Sequence, residues 1–495
     1  MKFIRFFIPR LEYMLFAAIF WGTAANGPKI LNFDGDLPRH ILTGSLILQT
    51  HQVSTTDIFS FRTVGYPSVP HEWLSQVLFA RVYDWLGLDG IVLITALIIM
   101  LTWSIVYYEA LRKSNSFFAS LIFTVLAVGA GQIHVLPRPH IFTYILTAIW
   151  IVLLEHIDEH KPRAWRPLPL VMLLWVNLHG MFVIGILIWA IYLAGDFLDH
   201  PSKAWFSSTK ARTLMIGGAL SLITTLFSPS GPHIWTAITS LGSNTYITSK
   251  IPEYQSANFH MPETWPFIII LLFVIIGFAR TTEKVLWTHI LLVVSFTGLA
   301  LYTSRMIPVF AIVVAPIAAK AFASGIHNEY EQSRIFIIEK NIHKTNSSSN
   351  GLIWLPVVIL AAILLFTSGK TIDPENRGNV FDERFFPVEA TIWLQQHPQR
   401  GHMFNEFDWG GYLLLELWPA HQIFIDGHTH IYGERLTREY EKVVTLNAGW
   451  QEMLAKYDVA WVIVRANAPL VRALSASGDW AIAYQDRTTI ILIRK

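Results

Sequence analysis

The stretch that decides the fold is LEYMLFAAIFWGTAANGPKILNF, residues 11–33, running directly into Asp34-Gly35-Asp36-Leu37-Pro38-Arg39-His40. The first part is mostly apolar and about as long as the ~20 residues a bilayer-crossing helix needs. The second is an acidic loop at the end of that run. Carboxylates at a lipid boundary are costly unless they are solvated, paired or used in chemistry. A membrane chain that places two of them there is expected to hold a site on that face.

Composition extends the same reading to the whole chain. Hydrophobic residues make up 53% of the 495 positions and charged residues 15%, well below the roughly 25% charged of soluble domains. Apolar runs near 11–32, 88–108, 117–135, 140–155, 167–178, 180–197, 212–228, 264–280, 286–303, 305–322 and 352–368 predict about eleven transmembrane helices. The stretch 167–198 is divided at Asn177-Leu178-His179-Gly180, a polar turn. The 19 Trp and 16 Tyr suit a chain with many membrane–water boundaries, where amphipathic rings collect. The absence of Cys excludes disulfides, thiolate metal sites and Cys nucleophiles. The net charge is +2 and the basic residues fall in short inter-helix loops, so no nucleic-acid partner is expected. The first apolar run lacks a convincing cleavage site and reads as a retained helix rather than a signal peptide.

Lys and Arg concentrate in alternate loops, among them Arg112 and Lys113, Lys161 and Arg163, Lys203 and Lys210, and Arg280 and Lys284. The positive-inside rule then predicts a cytoplasmic N-terminus in the inner (plasma) membrane. The acidic first loop and the C-terminal segment would both lie outside. Within the outer loop 34–87, Pro38–Thr50 and His71–Leu86 have apolar residues at helical spacing, as in helices lying in the interface. Residues 229–263 form a further long outer loop, and Asn346-Ser347-Ser348-Ser349-Asn350 reads as a flexible tether. The chain therefore divides into a transmembrane domain, 1–369, and an extracytoplasmic α/β domain, 370–495. In the latter, helices are expected at Pro387–His397, 433–445 and 468–476, and strands at Gln422–Ile425, Val459–Val464, Ala481–Tyr484 and Thr488–Ile493.

The polar residues gathered on the outer face supply the candidate chemistry. Asp34 and Asp36, two apart, point to one side of an extended loop; one can act as base while the other holds a cation, or Asp36 can cap the helix that follows. His71 and Glu72 open the second interfacial helix, where Glu72 either acts or meets the positive helix end. His40, His71, Asp36 and Glu72 are of metal-ligand type, but no spacing fixes a geometry, so a divalent metal is not required. Arg138, between Pro137 and Pro139, and Arg305, before Met306-Ile307-Pro308, each read as a headgroup-seeking side chain or as a clamp for a phosphate. His179 lies in the polar turn, and Glu253 in a loop with Tyr254, where a carboxylate beside a ring suits a sugar. His428 and His430 share a Gly-bounded loop that could face substrate.

Taken together, Asp34-Gly35-Asp36-Leu37 with His40, His71-Glu72-Trp73-Leu74, Arg138-Pro139-His140, Asn177-Leu178-His179-Gly180, Asp408-Trp409-Gly410-Gly411-Tyr412 and Asp426-Gly427 resemble an uncharacterised bacterial group within the GT-C class of membrane glycosyltransferases. The resemblance spans essentially the whole chain. It implies a GT-C-like helical membrane fold with an outer soluble domain. It also implies transfer of a sugar from a polyprenyl-phosphate carrier to a glycan, lipid or protein acceptor at the outer face. By that analogy Asp34 or Asp36 is the general base, or orients the acceptor or a metal. Two positions depart from the group: Pro38 stands where an aromatic is usual, and His428 where an Arg is. The second acidic metal motif of oligosaccharyltransferases has no clear counterpart. A transporter of lipid-linked sugars or polysaccharides, or a non-enzymatic envelope scaffold, are the alternative readings. The first would bury charges along a mid-membrane path, and the second leaves the outer acids and arginines without a task. No GxGxxG or P-loop is present.

Overall fold

Apolar runs become helices because, without water, the backbone can satisfy its N–H and C=O groups only within the segment. The computed structural model describes residues 9–325, 334–348, 351, 353–367 and 378–495. Every predicted run lies on a helix. These are Leu11–Ala25 continued by Gly27–Asn32, then Trp73–Ser114, Phe117–Gly131, His140–Glu155, Pro167–Leu178, Val183–Asp199, Thr209–Thr224, Trp265–Arg280, Trp287–Tyr302, Ile307–Gly325 and Trp354–Thr367. Among the described residues, 5 helical stretches can cross a membrane by length and composition: Trp73–Ser114, Phe117–His134, Gly180–Asp199, Pro262–Arg280 and Ser304–Gly325. Leu11–Ala25, His140–Glu155, Pro167–Leu178, Trp287–Tyr302 and Trp354–Phe366 are shorter apolar helices, and Thr209–Thr224 falls in neither group. The expected runs are thus matched helix for helix, while fewer of those helices meet the length and composition of a span.

Ile307–Gly325 is the central post. It is buried along nearly its whole length and packs against Trp265–Arg280, Trp73–Ser114 and Phe117–Gly131. The long helix Trp73–Ser114 is broken at Gly87, whose φ of 60° is a left-handed conformation that costs glycine nothing. The break separates an amphipathic arm, which begins at the site, from the spanning part. Leu37–Thr50 packs on that arm and on Gly410–Leu417, so it lies between the helical bundle and the C-terminal domain. At the opposite end of the bundle the basic residues of the predicted inner loops meet acids. Lys113 and Arg112 pair with Glu155 at 2.6 and 3.2 Å, Lys210 with Asp196 at 2.7 Å and Lys284 with Asp199 at 2.9 Å.

The C-terminal sheet has four strands, β1 (His402–Asn405), β2 (Val459–Arg465), β3 (Trp480–Gln485) and β4 (Thr489–Arg494), in the order β1-β2-β4-β3. β1 runs parallel to β2, and β4 antiparallel to both β2 and β3. Helices Val388–Gln396, Thr429–Val444 and Pro469–Ser477 fall where the pattern predicts them.

Four expectations change. Gln422–Ile425 is not a ladder strand. Its backbone is satisfied instead by the Asn405 side chain, which accepts from Phe424 N and donates to Ile425 O (both 2.8 Å), and by Phe59 O, which accepts from Ile423 N at 3.0 Å. The edge position goes to β1, too short to carry a periodicity. The supposed tether is helical through Ser348, held where Asn346 Nδ2 donates to Glu12 Oε2 at 2.8 Å; residues 349 and 350 lie outside the described residues, as does the predicted boundary at 369/370. The long loop 229–263, for which no helix was expected, contains helices His233–Ser243 and Thr245–Lys250. Finally, Asp36 occupies the N-cap position of Leu37–Thr50 but makes no side-chain capping bond.

Candidate active site

The site is a cavity of about 630 Å³ at the end of the bundle covered by the C-terminal domain. Asp36, His40, His71, Glu72, Arg138, His179, Glu253 and Arg305 all line it. Of the predicted residues, Asp34 alone stays behind the wall: it is fully buried. Its Oδ1 accepts from Arg138 Nε at 2.7 Å and from the Asp36 backbone N–H at 2.9 Å, while its Oδ2 is buried without a partner. Asp36 does not cap because its carboxylate is engaged elsewhere. Asp34 ties the loop to its own turn, and the Asp36 side chain is left to reach Arg138 Nη1 at 3.1 Å.

Arg138 is held by the stiff Leu136–Pro139 turn, in which its N–H donates to Leu136 O at 2.8 Å. Glu253 joins it to Arg305: Glu253 Oε2 lies 4.0 Å from Arg138 Nη1, and Glu253 Oε1 lies 3.1 Å from Arg305 Nη1, which also donates to the Tyr254 hydroxyl at 2.8 Å. The result is a row of two guanidinium groups and three carboxylates. Among the described residues, neither guanidinium has a hydrogen bond on Nη2, so each keeps donors for a ligand. Burial pushes the Asp34 carboxyl up from its ordinary value, with Arg138 opposing and Asp36 reinforcing. Burial works the other way on Arg138, but Asp34, Asp36 and Glu253 together outweigh it and hold the guanidinium charged. For Glu253, burial is outweighed by Arg305, His134 and Arg138, which keep the carboxylate ionised below its usual range.

Across the cavity Glu72 faces three imidazoles, with His179 Nε2 and His71 Nε2 at 3.5 and 3.6 Å and His40 Nδ1 at 4.0 Å. Second contacts hold the rings, on the far nitrogen for His179 and His71 and on the same Nδ1 for His40. Thr143 Oγ1 meets His179 Nδ1 at 2.8 Å while accepting from Trp175 Nε1 at 3.0 Å, Val69 O meets His71 Nδ1 at 2.9 Å, and Gln76 Nε2 lies 3.2 Å from His40 Nδ1. Burial holds His179 neutral, well below the ordinary imidazole range. Among the described residues no group of three or more His, Asp or Glu side chains is arranged to hold a metal ion; of the residues of ligand type, Asp36 is engaged by Arg138 instead.

The C-terminal domain supplies the remaining wall through Phe407, Asp408, Gly427–His430 and Arg465. It reaches the acidic loop by approaches that leave no room for a side chain. A Cβ on Gly427 would sit 1.8 Å from Asp36 Oδ1, one on Gly411 2.4 Å from Gly35 O, and one on Gly35 2.6 Å from Asp408 O. Arg39, almost fully buried, pairs with Asp426 and lies 3.5 Å from Asp57. Burial opposes its charge, and Asp426, Tyr432 and Asp57 outweigh that. Sequence reading passed over Arg39, Tyr254, Asp408 and Arg465 as site residues. The available signals were the Gly-Gly and Asp-Gly pairs beside Asp408 and Asp426, since glycines at such positions mark close backbone approach.

No family model matches the chain, and no curated protein does either. Solved structures do. The oligosaccharyltransferase AglB from Archaeoglobus fulgidus, in complex with an inhibitory peptide and a dolichol-phosphate, is similar over 92% of this chain and 69% of its own, at 10% identity and a TM-score of 0.56. The Archaeoglobus fulgidus oligosaccharyltransferase tethered with an acceptor peptide is similar over 87% of this chain at 11% identity and a TM-score of 0.52; the chain spans 65% of that protein's length. ArnT from Cupriavidus metallidurans, bound to undecaprenyl phosphate, aligns over 97% of both chains at 11% identity and a TM-score of 0.49. The fold is GT-C-like.

Proposed function

We propose that this chain is an integral-membrane glycosyltransferase that moves a sugar from a polyprenyl-phosphate carrier to an acceptor at the outer membrane face. The observation that carries the reading is the pair Arg138 and Arg305, each with no hydrogen bond on Nη2 among the described residues, facing a cavity that also presents Asp36 and Glu72. A lipid phosphate is what two adjacent guanidinium forks fit best. The dolichol-phosphate bound by the similar archaeal enzyme is of that class. Apolar side chains such as Phe33, Met181, Ile238 and Met306 line other parts of the cavity and suit the start of a lipid tail.

In this mechanism Arg138 and Arg305 stabilise charge as it develops on the departing phosphate, a contribution that depends on preorganised donors. Asp34 locks Arg138 from behind and Asp36 orients it. Glu72, whose close partners are imidazoles rather than a guanidinium, takes the proton of the incoming hydroxyl. The acceptor oxygen bonds to the anomeric carbon, and the carbon–oxygen bond to the carrier phosphate breaks with inversion. In this reading the N-terminus is cytoplasmic and the site faces outside, where nucleotide sugars are not normally available and a lipid-linked donor is needed.

The test is transfer from a synthetic polyprenyl-phospho-sugar by purified protein. Arg138→Lys and Arg305→Lys keep charge but not the bidentate fork. At least one is expected to lose about 100-fold or more in turnover, the scale of a lost charge-stabilising donor. A headgroup-seeking Arg would tolerate Lys, so near-normal turnover in both would remove the phosphate clamp from the proposal.

A further inference from the structure

Behind Glu72 lies a second cavity, of about 280 Å³, between the helix Leu37–Thr50 and the loop 52–70. It shares Arg39, His71, Glu72, Gln76 and His428 with the main cavity, so these residues form a partition with one chamber on each side. The two chambers differ in chemistry. The main one has Arg138, Arg305 and Arg465 in its wall, whereas Arg39 is the one Lys or Arg side chain lining the second, and Asp426 and Asp57 already engage it. What remains in the second chamber is a mixed surface, with the hydroxyl and amide groups of Thr43, Thr50, Ser54, Thr56, Ser68 and Gln52 set in a larger apolar surface that includes Leu46, Ile47 and Phe59. Two polar atoms of its wall, Thr43 Oγ1 and His428 Nδ1, have no hydrogen-bond partner. Burial holds His428 neutral.

A chamber of this kind has little to offer an anion. It matches a neutral ligand that has both hydroxyls and an apolar face, as a sugar ring does, and its volume lies just below the range of about 300–1,000 Å³ typical of ligand pockets. We propose that the second chamber is the acceptor subsite and that it takes an uncharged sugar residue, such as the terminal unit of a glycan. This rests on the transferase reading above and names the acceptor class for the same site. The acceptor hydroxyl gives its proton to Glu72, which lines both chambers. Its oxygen then bonds to the anomeric carbon in the main cavity, and the electron pair of the broken bond stays on the carrier phosphate. An acceptor seated here and a donor held at Arg138 and Arg305 would approach the sugar carbon from different sides, as an inverting displacement requires.

The experiment uses the full-length protein in lipid nanodiscs and two separate readouts. Saturation-transfer NMR reports binding of methyl glucoside, methyl galactoside and methyl N-acetylglucosaminide, with glucose 6-phosphate as the anionic comparison. Tryptophan fluorescence reports binding of undecaprenyl phosphate. Thr43→Trp and Ser68→Trp each fill the second chamber from opposite walls. Transfer to at least one methyl glycoside, and little to glucose 6-phosphate, is expected in the wild type. Both Trp variants should weaken glycoside binding about tenfold or more, as loss of one good polar contact would, with undecaprenyl phosphate still bound. A Thr43→Trp chain that fails to fold leaves Ser68→Trp to decide. The proposal is overturned if the wild type binds undecaprenyl phosphate but no glycoside, or if glycoside binding survives unchanged in a folded chamber-filling variant. If glycosides bind as expected while undecaprenyl phosphate does not, the sugar chamber stands and it is the lipid-donor reading that falls.

Discussion

Gly427→Ala is the most pointed perturbation the site offers. Gly427 does not have a left-handed backbone, and an added Cβ would meet the Asp36 carboxylate at 1.8 Å from Oδ1 and 2.8 Å from Cγ. Ordinary van der Waals contact begins at 3.4 Å. Because the obstructed atom is the free end of a side chain, the relief comes from swinging Asp36 aside rather than from parting the two domains. The movement needed exceeds 1 Å, enough to break the 3.1 Å contact with Arg138 Nη1. Misplacing by about 1 Å a group that orients the phosphate clamp costs on the order of 100-fold in rate, roughly 2.7 kcal/mol of transition-state stabilisation. The expected result is therefore an approximately 100-fold loss of transfer from a polyprenyl-phospho-sugar with a nearly unchanged melting temperature. Gly411→Ala is the contrast: its Cβ would meet the backbone oxygen of Gly35 at 2.4 Å, which cannot rotate away, so stability and activity should fall together. Turnover of Gly427→Ala within about threefold of wild type, against the roughly 100-fold expected, would refute the claim that the C-terminal domain sets the position of Asp36.

Asp34→Asn and Asp36→Asn should also part company. The first removes the charge that locks Arg138 from inside the wall and is expected to lower both melting temperature and turnover; the second should lower turnover with stability near wild type, and equal mild losses in both would leave the pair without a catalytic role. Burial holds His428 and His430 well below the ordinary imidazole value, so the unfolded chain binds more protons than the folded one at mildly acid pH. Their contribution is complete above about pH 6.5 and is lost progressively as pH falls from there towards the folded values, by at most about 1.4 kcal/mol per pH unit for each proton. Thermal unfolding followed from pH 7.5 to 5 should show this slope, and His428→Asn should make it shallower. Reporter fusions after residue 114 and near 340 should report cytoplasm, and fusions near 60 and after 400 the outside; a cytoplasmic C-terminus would contradict the proposed outer-face site.

Much of the helical framework was legible because each membrane helix declares itself locally. The apolar runs, the two amphipathic arms that follow the acidic loop and the polar turn at Asn177–Gly180 are all visible within windows of about 20 residues. The site residues were legible as types, because Asp, Glu, Arg and His beside apolar runs stand out. Their division of labour was not. Asp34 and Asp36 look interchangeable in sequence, yet one is fully buried behind Arg138 and the other lines the cavity. In the C-terminal domain short runs rich in apolar and β-branched residues marked β2, β3 and β4, while the four residues of β1 were too few to stand out. Gln422–Ile425 was extended as its composition suggests, but its backbone found Asn405 and Phe59 rather than a ladder.

By itself, then, the sequence determined the helical membrane architecture, the presence of a small α/β domain and the cast of charged residues at one face, since hydrophobic periodicity and burial cost act on neighbouring residues. Only the tertiary structure decided which of those residues meet. Arg138 lies about 100 residues from Asp34, and Arg39 nearly 400 from Asp426. No local pattern encodes such a pairing, because it depends on where the whole bundle and the covering domain bring their ends. The same holds for the two chambers on either side of Glu72: their walls come from segments far apart in the chain, and a cavity belongs to the packing rather than to any one stretch of it.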